Sequence, residues 1–291
     1  MPKHRTGILL LTCLSVALAF TLSAATVQAA TFKTVDVPNA SETDLNAVNN
    51  ANTAVGDYID LSGVNHGFAL IGGTRIKSFD VPGSLGTFAR GINDSNQVVG
   101  WYVDSNGVQH GYVFSSNKFT TLDPPNTILT NAWGINNAGV IVGTYVDAND
   151  GAFHGFVFKN GNYTIYDAPS GSLLTELLGI NDAGQMVGIY FDSNSVQHGF
   201  AVVGSQFIDI TVPGSGVTAA DKINRSGNVV GLFGASSSGP FSGYILVGTR
   251  FTTINFPGSA ETRCRGLNNA KVVTGRYTDS NGIIHGMAVL P

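Results

Sequence analysis

The chain has 291 residues, 43% of them hydrophobic and 12% charged, so it is too apolar for a disordered segment and long enough to bury a large core. Its 15 Lys and Arg against 19 Asp and Glu give a net charge of −4, and no basic stripe is present to neutralise phosphates, which disfavours nucleic acid as a partner. The 37 glycines recur at fixed positions, which favours an all-β chain rich in tight turns over a flexible linker.

The N-terminus carries Lys3, His4 and Arg5, then an apolar run from Ile8 to about Phe20, then small residues ending Val27-Gln28-Ala29-Ala30. This order of charge, apolar run and small residues predicts a secretory signal peptide over residues 1–30, cleaved after Ala29 or Ala30. The apolar run is short for a membrane span, so no span is expected in the mature protein, which would be extracellular or periplasmic. Cleavage removes Lys3 and Arg5 and no acid, leaving 13 basic and 19 acidic residues and a net charge of −6. Cys264 is then the only cysteine, so no internal disulfide can form.

From Thr31 onward the chain repeats. The glycines at 56, 100, 143, 188, 231 and 275 follow a conserved apolar pattern and are separated by 44, 43, 45, 43 and 44 residues, a period of solenoids and propellers. Thr31 to Pro38 matches a segment that ends the later units at Pro82, Pro125, Pro169, Pro213 and Pro257, and no such segment follows the last unit. In the second unit, runs rich in β-branched and aromatic residues cover about Thr87 to Asn93, Gln97 to Asp104, His110 to Ser115 and Lys118 to Asp123-Pro124-Pro125. Asn, Asp and Gly between the runs supply the turn conformations that hairpins need. Four antiparallel strands per unit make a propeller blade, and pairing the spare N-terminal strand with the three strands of the last unit closes a ring without an exposed edge. The expected fold is a single six-bladed β-propeller over residues 31–291.

The repeat resembles a bacterial extracellular family named for a His-Ala-Phe motif (HAF-type repeats). The matching residues are Gly91-Ile92-Asn93-Asp94, Val98-Val99-Gly100 and His110-Gly111-Tyr112, with equivalents such as Gly179-Ile180-Asn181-Asp182 and His198-Gly199-Phe200. Gly replaces the Ala of the triplet in every copy, so the likeness rests on the whole repeat, and it covers essentially the mature chain. The resemblance implies a secreted or envelope-associated protein and leaves its biochemical role open.

His66, His110, His154, His198 and His285 share one repeat slot, a hairpin away from Asp60, Asp104, Asp147, Asp192 and Asp279. Repetition in nearly every blade argues for a cross-strand hydrogen bond that fixes the hairpin, not for catalysis. Equivalent residues of different blades lie around a ring, too far apart to share a zinc ion, and the Asp-Ser-Asn-Gly turns lack the ligand run of a calcium loop, so no metal and no cofactor are expected. The Asn-x-Ser sequons at Asn93 and Asn224 fall in the repeated turn and carry no separate meaning.

Candidate site residues come from differences among copies. Each unit enters its first strand as Thr-x-small-x-Gly-Ile-Asn in outline, and the x positions vary: Asp44, Phe88, Asn131, Glu176, Ala219 and Arg263, then Asn46, Arg90, Trp133, Leu178, Asp221 and Arg265. With the first strand innermost these positions ring one mouth of the channel. Phe88, Arg90, Trp133, Glu176, Asp221 and Arg265 are the residue types that anchor binding sites, with Trp and Arg beside carboxylates suited to a sugar. The expected function is a monomeric, non-enzymatic binding propeller for a glycan or protein ligand. The alternative is a carbohydrate- or lactone-directed hydrolase or lyase working from the central channel, for which no motif is present and Glu176 and Asp221 are the candidate carboxylates.

Overall fold

The computed structural model describes residues 30–169 and 171–291, so the signal peptide read in residues 1–30 lies almost wholly outside the described residues. Among the described residues all regular structure is β, in 24 strands numbered β1 to β24 along the chain, and no helix is long and apolar enough to cross a membrane. The strands form six four-stranded antiparallel units, two of which meet through one parallel pair, Phe153 with Leu174. The second blade consists of β6 (Gly86–Ile92), β7 (Val98–Val103), β8 (Gln109–Ser115) and β9 (Lys118–Leu122), within a residue or two of the expected runs at most ends.

The first strand of each blade is innermost. These are β2 (Ala40–Val48), β6, β10 (Thr127–Ile135), β14 (Leu174–Ile180), β18 (Val217–Ile223) and β22 (Glu261–Leu267), and each contacts the first strand of the next blade in a closed cycle that ends with β22 against β2. The N-terminal strand β1 (Thr31–Val35) pairs antiparallel with β24 (Ile284–Leu290), Phe32 opposite Val289, and completes the sixth blade as the outermost strand.

The core lies between consecutive sheets. The residue after each His-Gly pair, or Ser242-Gly243 in blade five, is fully buried: Phe68, Tyr112, Phe156, Phe200, Tyr244 and Met287. Burying a side chain of that size contributes about 1.5–3 kcal/mol, so this one slot is a main source of sheet-to-sheet cohesion. Tyr112, for example, packs with Val55 and Phe79 of the preceding blade. The glycines that define the period have a steric cause: a Cβ on Gly100 would collide with the carbonyl oxygen of Phe88, and the same clash recurs at the other five.

Three repeated polar contacts hold the turns, the blades and the segments that enter them. The Asn of each Gly-Ile-Asn unit donates its side-chain amide to the backbone carbonyl of the next one, from Asn49 through Asn93, Asn136, Asn181, Asn224 and Asn268 back to Asn49, at 3.0–3.2 Å. The same side chain accepts turn amides through Oδ1, as Asn136 does from Ala138 and Val140. The repeated Thr accepts the amide of the segment entering its blade, as Thr87 Oγ1 does from Val81 N at 3.0 Å. At the third blade Pro124 has no amide to give, and Thr130 turns to Thr127 instead.

The His slot makes the expected contacts with aspartates, and adds a partner the repeat pattern did not reveal. His66 lies between Asp60 at 3.3 Å and Asp80 at 2.9 Å, and its ring stacks on Tyr58. Asp80 belongs to the segment leading into the next blade, and Asp123, Asp167 and Asp36 take that place for His110, His154 and His285. One expected pair is corrected: His154 contacts Asp150 at 3.3 Å, not Asp147, because this longer turn carries a second aspartate and Asp147 caps the amide of Asn149. In blade five Ser242 occupies the slot opposite Phe233, and the sheet continues unchanged.

Candidate functional site

Each innermost strand carries a β-bulge at one repeat position. The pairing skips Asn46, Arg90, Trp133, Leu178, Asp221 and Arg265, the second variable position of every unit. A bulged residue is released from the ladder and its side chain re-aimed, and here all six turn to the channel. The first and second variable positions are two residues apart, so strand alternation already sets them on one face, and the bulge releases the second of them from the ladder.

A cavity of about 280 Å³ in the channel is lined by Arg90, Trp133, Glu176, Asp221 and Arg265, five of the six expected site residues, together with Asn46, Leu178, Lys222, Phe241 and Arg263. Phe88 lies outside it. Its ring stacks on Trp101 at 3.6 Å and lines a neighbouring cavity of about 250 Å³ with Asp44, Asp57, Arg276 and the shared Arg90 and Arg265. The expectation of a ring at the mouth is refined: these side chains fill the channel and are mostly buried, so they are not solvated loop residues.

The charges are interleaved. Arg90 Nη1 lies 3.1 Å from Asp57 Oδ1, which also accepts from Asn46 Nδ2 at 2.7 Å. The Arg90 guanidinium sits 5.6 Å from the Trp133 ring centre and 5.7 Å from that of Phe88. Arg276 donates to Asp44 at 3.3 Å, and Arg265 lies 3.6 Å from Asp44 and 3.9 Å from Asp221, beyond direct hydrogen bonding. Arg263 pairs with Glu261 and rests over Phe241 at 4.6 Å. Lys222 Nζ donates to the backbone carbonyls of Leu178 at 2.7 Å and Trp133 at 3.2 Å.

Burial shifts these groups unequally. It disfavours the charge of Asp44, but Arg265, Arg276, Arg90 and Arg263 outweigh it and hold the carboxyl below its usual range. At Asp57 burial wins over Arg90 and pushes the carboxyl up to about 6. Glu176, buried with no cation to offset Asp221, rises to about 7. Asp221 is also raised by burial despite Arg265 and Lys222, and burial lowers Lys222 to about 8. Several buried polar atoms have no partner: Arg90 Nε, Arg265 Nε, Trp133 Nε1, Asp221 Oδ2 and Asn46 Oδ1. Such atoms cost free energy unless water or a ligand meets them.

Comparison of the first strands does not reach Asp57, Trp101 and Arg276, and comparison of their x positions alone passes over Lys222 on β18. The first three occupy the position after the period-defining glycine, where the copies read Asp57, Trp101, Thr144, Ile189, Leu232 and Arg276, and that variation was the available signal. Lys222 stands where four other units have glycine and the first has Ala47. The slot is crowded, since a Cβ on Gly179 would lie 3.0 Å from Lys222 Cα.

No family model matches the chain, and no curated protein matches it. Solved structures do. A fungal lectin from Aleuria aurantia, with a six-bladed β-propeller fold and a novel fucose recognition mode, is 11% identical with a TM-score of 0.53, covering 89% of this chain and 98% of that one. The SapL1 lectin, solved with alpha methyl fucoside, is 13% identical with a TM-score of 0.55 over 86% of this chain and 97% of that one. AofleA from Arthrobotrys oligospora is 8% identical with a TM-score of 0.56 over 89% of this chain and 85% of that one. At these identities the likeness is one of fold, and the chain is a β-propeller.

Proposed function

We propose that this propeller is a carbohydrate-binding protein that takes a saccharide in the channel cavity. The observation that carries the reading is the set of unpartnered polar atoms around Trp133, which includes both donors and acceptors. Sugar hydroxyls donate and accept at once, and the apolar face of a pyranose suits an indole beside them. Arg263 and Arg265 keep 24% and 20% of their side chains exposed, so solvent reaches the group. The fucose ligands of the Aleuria aurantia and SapL1 lectins support a sugar over a protein loop. An export leader at residues 1–30 fits a partner met outside the cytoplasm, and N-terminal sequencing of exported protein, expected to begin at Ala30 or Thr31, tests that part.

The experiment is retention on a panel of immobilised polysaccharides, with Trp133→Ala as the variant. Wild type is expected to be held by at least one polymer and Trp133→Ala to be released at an unchanged fold by circular dichroism. Retention by none of the panel, or equal retention of the variant, rejects the reading.

A second reading, a hydrolase or lyase, is favoured by one observation: Glu176 and Asp221 line the same cavity, and Glu176 is held partly protonated near neutral pH. New reducing ends or unsaturated products from a retained polymer, abolished by Glu176→Gln, would establish it.

A further inference from the structure

We infer that the channel cavity takes a carboxylated sugar, a uronate or a similar acidic residue, in preference to a neutral one. The inference rests on the carbohydrate reading above and deepens it.

The first argument is charge. Four of the chain's 15 Lys and Arg side chains, Arg90, Arg263, Arg265 and Lys222, line this one cavity, in a protein whose overall charge is −4. Asp57, Glu261 and Asp44 already stand beside Arg90, Arg263 and Arg265, and the two acids lining the cavity itself, Glu176 and Asp221, are both pushed by burial toward the neutral form, which tips the balance to the cations. A concave site with one sign of charge in surplus draws the opposite sign.

The second argument is Lys222. Its two hydrogen bonds go to neutral carbonyls of the two preceding blades, and among the described residues no carboxylate oxygen lies within ion-pair distance of Nζ. An ammonium has three donors, so one is left over. A buried ammonium with no carboxylate in direct contact is costly, and four sister blades hold glycine at this position, so the fold does not require the lysine.

The third argument is the balance of unmet hydrogen bonds. Among the residues lining this cavity, buried donors without an acceptor are Arg90 Nε, Arg265 Nε and Trp133 Nε1, joined by the spare Lys222 proton; unmet acceptors are Asp221 Oδ2 and Asn46 Oδ1. A neutral hydroxyl would meet both kinds equally. A carboxylate accepts only, through two oxygens, and guanidinium and ammonium groups bind it with charge-assisted hydrogen bonds.

The test compares short oligogalacturonate with its fully methyl-esterified form, alike except for charge, by calorimetric titration of the exported protein. Oligomannuronate, hyaluronan fragments and sialyllactose, each against its ester, extend the set. At low salt at least one acid is expected to bind about tenfold more tightly than its ester, with the gap narrowing as ionic strength rises. Lys222→Met should collapse the acid-to-ester ratio, and Lys222→Gly, which restores the residue of the sister blades, should do the same if the methionine variant folds poorly. Equal or tighter binding of every ester overturns this inference and leaves the carbohydrate reading standing. Binding of neither acids nor neutral sugars overturns both. An acid preference unchanged in both Lys222 variants rejects the role assigned to the lysine and with it the inference.

Discussion

The side-chain amide of Asn268 donates to the backbone carbonyl of Asn49 at 3.2 Å, joining residues 219 apart in sequence and closing a ring of six such bonds. Each link uses the asparagine twice, once to hold its own turn and once to hold the next blade. The ring therefore fixes the far end of the channel, opposite the cavity, and leaves the variable positions of the innermost strands free to differ.

Replacing one link should be costly because both ends are buried. Asn136→Ala removes the bond to Asn181 O and strands the amides of Ala138 and Val140, with an expected loss of about 2–3 kcal/mol. Urea unfolding measures it, and a loss under about 0.5 kcal/mol, the usual range for surface substitutions, would show the ring to be incidental.

Closure by β1 can be read from a thiol. Cys264 is fully buried beside Met287, with Phe32 of β1 packed against the same cluster, and burial pushes its thiol far above the ordinary range. Native protein should resist thiol reagents. Deleting residues 31–38 removes Phe32, Val35 and Val37, worth roughly 1.5–3 kcal/mol each, so stability should fall by on the order of 5 kcal/mol and Cys264 should label rapidly. Unchanged melting and an inert thiol would mean that the last blade does not need the first strand.

The His slot sets a pH dependence of stability. Burial opposes the charge of His66, but hydrogen bonds and charge from Asp80 and Asp60 raise its pKa, and Asp167 and Asp150 do the same for His154. A raised histidine stabilises fully below the unfolded value of about 6.5 and loses that contribution as pH rises through the folded value. Asp60, Asp104, Asp150, Asp192 and Asp279 are depressed, mainly by turn amides, so their contribution is present above about 4 and lost on acidification. Melting temperature should peak between these limits, and His66→Gln with His154→Gln should reduce its decline above neutrality. A decline of equal slope in the double variant would assign it elsewhere.

Glu176 contributes in the same direction by a different route. Burial and Asp221 raise its carboxyl to about 7, so ionising it costs stability progressively as pH rises from about 4.5 through 7. Glu176→Gln should leave stability near pH 4 almost unchanged and raise it near pH 8 by about 1–2 kcal/mol. A variant less stable at pH 8 would mean that the carboxylate is held by a favourable contact.

The period, four strands per unit, the N-terminal closure and the identity of the variable residues were legible in the sequence, because backbone geometry imposes the same requirements on every blade. A glycine that must pass a carbonyl, a threonine that accepts an incoming amide and an asparagine that bridges two turns leave regular marks. Five of the six expected site residues do share one cavity. Tertiary structure alone decided how they face it. Arg90, Trp133 and Asp221 are bulged residues, and a bulge is a mismatch in pairing between two strands that leaves no local sequence signature. It also decided the partners across blades: Asp80 for His66, Asp57 for Arg90, and the carbonyls of Trp133 and Leu178 for Lys222. The last of these joins residues 89 and 44 positions apart, contacts that exist only because the chain closes on itself and brings three innermost strands around one axis.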